Sequence, residues 1–470
     1  EMVPVNKRIA RLGAVFTALF LLLTVNLTYM QFFAADSLTA RPENIRPLLN
    51  DKRIKRGDII SADEVVLATT KKSADGYKRS YPKAEIAAPI TGFYSHKYGR
   101  AGLELTFDEY LSGQTKVSSI DDYIKRLLGR EAPGNNITLT INIELQRTAM
   151  RALGSKKGAI VALNPKTGAV LALASRPSYD PNEVDSHWAE LSKNPDGVML
   201  NRALQGRFTP GSSFKIITAA AALQDNVTTV DKIYDASSTV KIYGGKVTNY
   251  EGKSYGKLSF AEAFAKSANT VFAQIGKELG GAKLVDMAKS FGFADKIPFD
   301  LPTAQSRIPA ASQMDDLEVA WAAVGQGRIQ ATPLTMALAG AAVANNGTIM
   351  QPYVVENIRE HDGNTVYEHR PSTWQTPMSQ TTAETIKSLM EKVVSEGTGK
   401  AARIDGVQVA GKTGTAEVGQ KKPHAWFVGF APADNPQVAV AVIIENGGVG
   451  GSVAAPIARE IILSALGKQR

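Results

Sequence analysis

The distribution of apolar and polar residues divides the chain into three stretches. Lys7, Arg8 and Arg11 precede a run without charge over residues 12–35, closed by Asp36. Its densest part, LGAVFTALFLLLTVNL (12–27), is apolar on all sides rather than striped, unlike a helix resting on a globular core. As a helix, residues 12–35 would cover roughly 36 Å, enough for a hydrocarbon layer of about 30 Å. A cleaved signal peptide would have an apolar core of about 7–15 residues and a small-residue cleavage site. Ala34–Ala35 matches that weakly, and the run is long for it, so an uncleaved transmembrane anchor is expected. Basic residues ahead of the span predict a cytoplasmic tail (1–11) and a body on the far side of the lipid bilayer, with Tyr29, Phe32 and Phe33 at the interface.

The second stretch is polar and basic. Between Lys71 and Arg100 the cations 71, 72, 78, 79, 83, 97 and 100 face only Asp75 and Glu85. This predicts a small solvated N-terminal domain over 36–135, ending in a linker at Pro133-Gly134-Asn135-Asn136. The third stretch opens with ITLTINIELQRTAMRALG, where alternation gives way to a helical period. Strands and Ala-rich helices then mix, predicting an α+β domain over 136–470. At about 150 residues per unit, 470 residues suggest roughly three units.

Composition narrows the chemistry. There is no Cys, which excludes disulfides, thiolate nucleophiles and Cys-ligated metals. Five His remain, none paired at i, i+4, so a His-rich metal site is not expected. The net charge of +9 suits an anionic partner. Nucleic acid is a poor fit without an aromatic platform or a basic helical stripe.

Three short motifs carry candidate chemistry, and each has a decoy. Ser212-Ser213-Phe214-Lys215 follows Thr209-Pro210-Gly211 and opens the run IITAAAALQ. Pro-Gly breaks what precedes and the Ala-rich run propagates a helix. Ser212 is therefore expected at a helix N-terminus, with Lys215 one turn on and on the same face. The helix end offers positive potential and free N–H groups. A lysine desolvated in a cleft can lose its proton and act as a base. Taken alone, the motif also suits an N-cap serine beside a solvated lysine, and S-x-x-K recurs at Ser254–Lys257 in a loop-like stretch. Ser267-Ala268-Asn269 interrupts an apolar run between Phe264 and Phe272, downstream of a capping box at Ser259 and Glu262. Such polar residues should be buried and hydrogen-bonded, for stability or for chemistry. The decoy Ser192-Lys193-Asn194 is expected in a loop. Lys412-Thr413-Gly414-Thr415 follows GVQVA and reads as a strand at a cleft edge. Gly414 would leave room for a ligand backbone, and Lys412 with the two Thr hydroxyls suits a carboxylate. Its decoy, Lys166-Thr167-Gly168, is expected in a hairpin turn. Only Ser212, Ser267 and Lys412 run in the order helix start, break between helices, strand. His424 is expected to be a satisfied structural histidine.

In that order the motifs match those of penicillin-binding proteins and class A β-lactamases. The chain resembles the class B penicillin-binding proteins, most closely the actinobacterial A type. The resemblance covers nearly the whole length. It includes Arg56-Gly57-Asp58-Ile59 with Leu67-Ala68, TGFYSHKYGRAGLE (91–104), GAIVALNPKTGAVLALASRPSYDPN (158–182) and RFTPGSSFK (207–215). VGQGRIQATPLTMA (324–337), GKTGTAE (411–417) and HAWFVGFAPAD (424–434) extend it. Ala268 replaces the Asp of S-D-N, as is common in the family.

The resemblance implies a pedestal domain followed by a serine transpeptidase domain, an antiparallel sheet flanked by helices. It implies a peptidoglycan D,D-transpeptidase, inhibited by β-lactam antibiotics that acylate Ser212. Ser212 would attack the D-Ala-D-Ala carbonyl of a stem peptide with Lys215 as base. Ser267 would relay a proton and Asn269 hold the donor amide. Lys412, Thr413 and Thr415, with Gly414 between them, would bind the terminal carboxylate. The backbone N–H groups of Ser212 and Thr415 would form the oxyanion hole. No cofactor or metal is implied. The implied pedestal partner is a membrane-embedded glycan polymerase of the SEDS type. A D,D-carboxypeptidase or β-lactamase of the same fold, or a non-catalytic penicillin sensor or scaffold, are the alternatives. The motifs are complete, the cytoplasmic tail is short, and no counterpart of the β-lactamase deacylating Glu is evident.

Overall fold

The computed structural model describes residues 5–32, 54–74, 76–113 and 133–468. Residues 1–4 of the tail, 33–35 of the anchor with Phe33 and Ala34–Ala35, and 36–53, Asp75 and 114–132 of the N-terminal domain lie outside the described residues.

Helix α1 spans Val5–Phe32. Within it Ile9–Tyr29, 21 residues, is long and apolar enough to cross a membrane. Its hydroxyls bond back along the helix, Thr17 to the Gly13 carbonyl at 3.0 Å and Thr24 to that of Phe20 at 2.8 Å. That satisfies polar atoms which hydrocarbon could not.

The other unit is built on two sheets. In chain order the strands are β1 (Ile59–Ile60), β2 (Val66–Ser73), β3 (Gly76–Ser80), β4 (Asn136–Leu139), β5 (Gly158–Leu163), β6 (Val170–Arg176), β7 (Val355–Arg359), β8 (Thr365–Glu368), β9 (Ala410–Val418), β10 (Lys421–Ala431) and β11 (Val438–Ile444). The helices used below are α2 (Ala84–Thr91), α3 (Ile143–Leu153), α4 (Lys215–Gln224), α5 (Phe260–Lys266), α6 (Asn269–Leu279), α7 (Pro333–Ala344) and α8 (Gly450–Ala465).

The second sheet runs β9-β10-β11-β5-β6, all antiparallel. Both of its faces are covered. On β5, Ala159, Val161 and Leu163 join the cluster that contains α7 and α4, while Ile160 and Ala162 join the one containing α8 and α3. The period of two thus feeds two cores. Helix α7 is buried at every position, with Thr332 as N-cap and Pro333 at its first turn. This agrees with the expected antiparallel sheet flanked by helices.

The first sheet runs β8-β7-β4-β1-β2-β3. Strand β4 pairs with β1 in parallel, Ile59 opposite Ile137, and with β7 in antiparallel, Ile358 opposite Ile137. The stretch expected as a linker is instead hydrogen-bonded into the fold. Gly134 N–H donates to the Lys55 carbonyl at 2.8 Å, Asn135 N–H to Tyr110 at 2.9 Å and Ile137 N–H to Asp58 at 2.8 Å. A Cβ on Gly134 would lie 1.7 Å from the Leu111 oxygen, and one on Gly57 1.8 Å from that of Asn135. These glycines allow two backbones to touch.

A buried ion network lies beside that contact. Arg56 donates to Glu104 Oε2 and to Asp108, and Arg79 Nε donates to Glu104 Oε1. Burial pushes the Glu104 carboxyl up, but Arg79 and Arg56 more than offset this and hold it below its usual value. Two decoys resolve plainly. Lys166–Gly168 form the β5–β6 turn. Ser192 and Lys193, expected in a loop, close the helix Val184–Lys193, because no breaker precedes Pro195 and the helix stops only at Asn194.

Candidate active site

Pro210 leads into a tight helical turn, Gly211–Phe214, that feeds α4 at Lys215. Gly211 has φ +55°, and its N–H donates to Gly325 at 2.9 Å. Ser213 Oγ donates to the Pro210 carbonyl at 2.7 Å, closing the turn. Ser212 is left half-exposed, while Lys215 is fully buried on the first turn of α4. The expected helix N-terminus is present, entered through a 3-10 turn.

Helix α5 starts at the expected Ser259–Glu262 capping box and stops at Ser267. Ser267 is left-handed, φ 59° and ψ 40°, and α6 begins at Asn269. A non-glycine residue in that region costs about 1 kcal/mol or more. The reversal turns Ser267 and Asn269 toward Lys215. Lys215 Nζ donates to the Ser267 carbonyl at 2.9 Å and to Asn269 Oδ1 at 2.8 Å, and lies 3.2 Å from Ser267 Oγ. Asn269 Nδ2 in turn donates to the Thr248 carbonyl at 3.0 Å.

The expected strand is β9, and it is the edge strand of its sheet. Lys412, also fully buried, donates to Ser267 Oγ at 2.9 Å and to the Thr413 carbonyl at 3.0 Å. Ser267 Oγ therefore bridges two lysine nitrogens. Burial, and then the neighbouring Lys412 charge, hold the Lys215 amine far below the usual lysine range. Burial pushes Lys412 down to about 7. Both effects favour the neutral amine at Lys215, the form a general base requires.

These elements close around a cleft of about 360 Å³. Ser212, Ser267, Asn269, Thr413 and Thr415 all line it, beside Trp321 and Tyr250. Thr413 Oγ1 pairs with Thr398 Oγ1 at 2.5 Å. Thr415 Oγ1 accepts from the Gly450 N–H at 3.2 Å, which leaves its own proton free for a ligand. A second cavity of about 190 Å³, between α2 and the residues near Leu200, lacks a serine–lysine pair.

Two expectations change. Gly414 does not face the cleft. A Cβ there would come within 2.9 Å of the Pro210 oxygen and of Trp426 Cβ, so the glycine serves the packing of β9 on the Ser212 turn and not a ligand. Lys412 does not line the cleft and reaches it only through its bond to Ser267 Oγ. The decoys Ser254 and Lys257 are exposed. His424 is hydrogen-bonded, its Nδ1 accepting from Asn446 N–H at 3.0 Å. Thr398, the Thr248–Tyr250 segment and the Val449–Ser452 stretch that opens α8 were not foreseen. They carry no motif and reach the cleft only through tertiary packing.

The penicillin-binding protein transpeptidase domain model matches residues 158–463, and the penicillin-binding protein A dimerisation domain model matches 56–137. The peptidoglycan D,D-transpeptidase PbpA of Mycolicibacterium smegmatis is 36% identical over 98% of this chain and 99% of its own. That of Mycobacterium tuberculosis is also 36% identical over 98% and 99%. The structure of M. tuberculosis penicillin-binding protein A as a penicillin G acyl-enzyme superposes with a TM-score of 0.82 at 36% identity, covering 88% of this chain and 100% of that one. A D,D-transpeptidase domain from Eggerthella lenta gives 0.82 at 38% identity, covering 88% and 99%. With its serine and two buried lysines meeting at one cleft of this fold, the chain belongs to the class B penicillin-binding proteins.

Proposed function

We propose that this protein is a peptidoglycan D,D-transpeptidase acting through a Ser212 acyl-enzyme. The observation that carries the assignment is the convergence of Ser212, Lys215, Ser267, Asn269, Lys412, Thr413 and Thr415 on one cleft. In acylation, the neutral Lys215 takes the Ser212 proton as Oγ adds to the penultimate D-Ala carbonyl. The Ser212 and Thr415 backbone N–H groups receive the oxyanion, an interaction worth about 3–4 kcal/mol per donor. Ser267, bridging both lysines, passes the proton to the departing D-Ala amine. Asn269 holds the donor amide. The Thr413 and Thr415 hydroxyls take the terminal carboxylate, with Lys412 supplying positive potential from behind. An amine of a neighbouring stem then attacks the ester, restores Ser212 and completes the cross-link. A β-lactam enters the same sequence but leaves no departing amine. None of these steps calls for a metal or cofactor.

The reading places residues 1–11 in the cytoplasm, the span at 12–35 and the body outside, with the pedestal at 36–135 and the catalytic domain from 136. The pedestal then faces a membrane-embedded glycan polymerase of the SEDS type.

Labelling with a fluorescent penicillin tests the nucleophile. Wild type and Ser254→Ala are expected to label equally, and Ser212→Ala not at all. Labelling that survives Ser212→Ala would overturn the assignment.

A further inference from the structure

We infer that His424 is a positioning residue for this site: its neutral imidazole pins the loop that walls the cleft beside Thr415. The inference rests on the reading above only for the use of that cleft. His424 lies on β10 opposite Ala416, one step past the Thr415–Ala425 pair. Its Nδ1 accepts from Asn446 N–H at 3.0 Å, and the Phe208 ring meets it edge-on with centroids 5.6 Å apart. Asn446 itself is held at φ 50°, a conformation that needs support in a non-glycine residue.

Two further bonds continue the seam. Gly448 N–H donates to the Pro423 carbonyl at 2.9 Å, and Gly450 N–H to Thr415 Oγ1 at 3.2 Å. Every second residue from Asn446 to Gly450 is thus tied to β9 or β10. Val449, Gly451 and Ser452, which follow or alternate with these ties, line the cleft. Gly447, between the first two ties, and Gly448, which carries the second, add no side chain to stiffen the segment. Releasing Asn446 therefore removes the first of three ties along the segment whose last tie orients the Thr415 hydroxyl.

The pin works in one protonation state. Nδ1 accepts only in the neutral tautomer with its proton on Nε2. In the imidazolium, Nδ1–H would confront the Asn446 N–H. Burial pushes His424 below its usual range, Glu445 pulls it up and Lys421 pushes it down, with a net lowering. Glu445 is itself paired with Arg202 at 2.6 Å, and the Phe208 side is apolar. The net lowering favours the neutral imidazole, the form whose Nδ1 can accept, and acid converts it to the form that cannot.

The test uses the full chain in detergent, as wild type, His424→Asn and His424→Phe. Asn offers an acceptor oxygen near the Nδ1 position that does not titrate, and Phe offers none. Hydrogen exchange of the 445–452 peptide is followed from pH 8 to pH 5 and corrected for intrinsic rates. Wild type should lose protection about tenfold or more toward pH 5. His424→Asn should keep it throughout, and His424→Phe should lack it at every pH. The Phe variant should also show weaker apparent penicillin affinity, with a smaller change in the limiting acylation rate. Equal pH dependence in wild type and His424→Asn would overturn the inference, as would a protected loop in His424→Phe. Because exchange is read without acylation, a failed Ser212 assignment would show separately, in the labelling experiment.

Discussion

At the scale of residues the site is two lysines kept from water. Lys215 is fully buried among the Ser267 carbonyl, Asn269 and the Phe272 ring, whose centroid is 5.0 Å from Nζ. Lys215→Ala would open a cavity and orphan two acceptors, so loss of activity would be mixed with loss of stability. Lys215→Met keeps the volume. It is expected to lower the penicillin acylation rate roughly 10²–10⁴-fold, the usual share of a general base, as stopped-flow acylation would measure. Lys412 gives a second prediction, of opposite limb. As pH rises through about 7 it loses its charge, so carboxylate affinity should fall on the alkaline side. Acylation should fall on the acid side as Lys215 gains its proton. Stability follows its own sign. The fold disfavours protonated Lys412, so the unfolded chain holds more protons between about pH 7 and about 10.4. That part of stability therefore rises with pH across this window, by at most about 1.4 kcal/mol per unit. Chemical denaturation of Lys412→Met against wild type should show the slope reduced by that amount. The identity of these residues was legible because serine, lysine and asparagine interrupt apolar runs at Ser212, Lys215 and Ser267–Asn269. Which lysine is neutral was not legible, since that depends on what surrounds each amine.

At the scale of elements, the sequence pattern located the start of α4, the break between α5 and α6, and strand β9, because each rests on local chemistry. Pro-Gly, a capping box and a β-rich run are short-range signals. It misplaced the purpose of Gly414, because the reason for that glycine lies in the Ser212 turn, some 200 positions earlier in the chain. A Cβ at Gly414 would meet the Pro210 oxygen at 2.9 Å, Trp426 Cβ at 2.9 Å and Ser213 N at 3.1 Å. Two of these are backbone atoms that cannot swing aside. Gly414→Ala is thus expected to push β9 away from the Ser212 turn. Overpacking of this kind costs about 1–3 kcal/mol. Penicillin acylation should drop tenfold or more, because the two oxyanion-hole N–H groups proposed above belong to the two elements being separated. Thermal denaturation and acylation measured together decide this. Normal acylation in Gly414→Ala would mean that the two elements tolerate separation. The Val449–Ser452 start of α8 and Thr398 were illegible for the same reason: nothing near them in the chain marks them as cleft residues.

At the scale of the whole molecule, the least legible feature is the sheet that joins the N-terminal segment to the catalytic one. The Pro133–Asn136 composition reads as a linker, yet the glycine there permits close backbone contact, and β4 is paired on both sides. Both segments therefore share one hydrogen-bonded surface. The Arg56–Glu104–Arg79 network lies against it, and Arg79 also donates to the Gly57 carbonyl at 2.7 Å. Glu104 is fully buried and is the carboxylate that both guanidiniums share. Glu104→Ala would leave two buried cations facing each other across a cavity, a change that typically costs about 3–5 kcal/mol. If the sheet couples the segments, that loss does not stay local. Loosening Gly57 and β1 removes one of the two partners of β4, and the catalytic domain then loses support at its entry strand. Calorimetry of the full chain should show one main transition in wild type, moved down as a whole in Glu104→Ala. Penicillin labelling should decline at the same temperature. A new low-temperature transition, with the main one and the labelling profile unmoved, would show that the pedestal melts alone and that the shared sheet is a contact rather than a coupling.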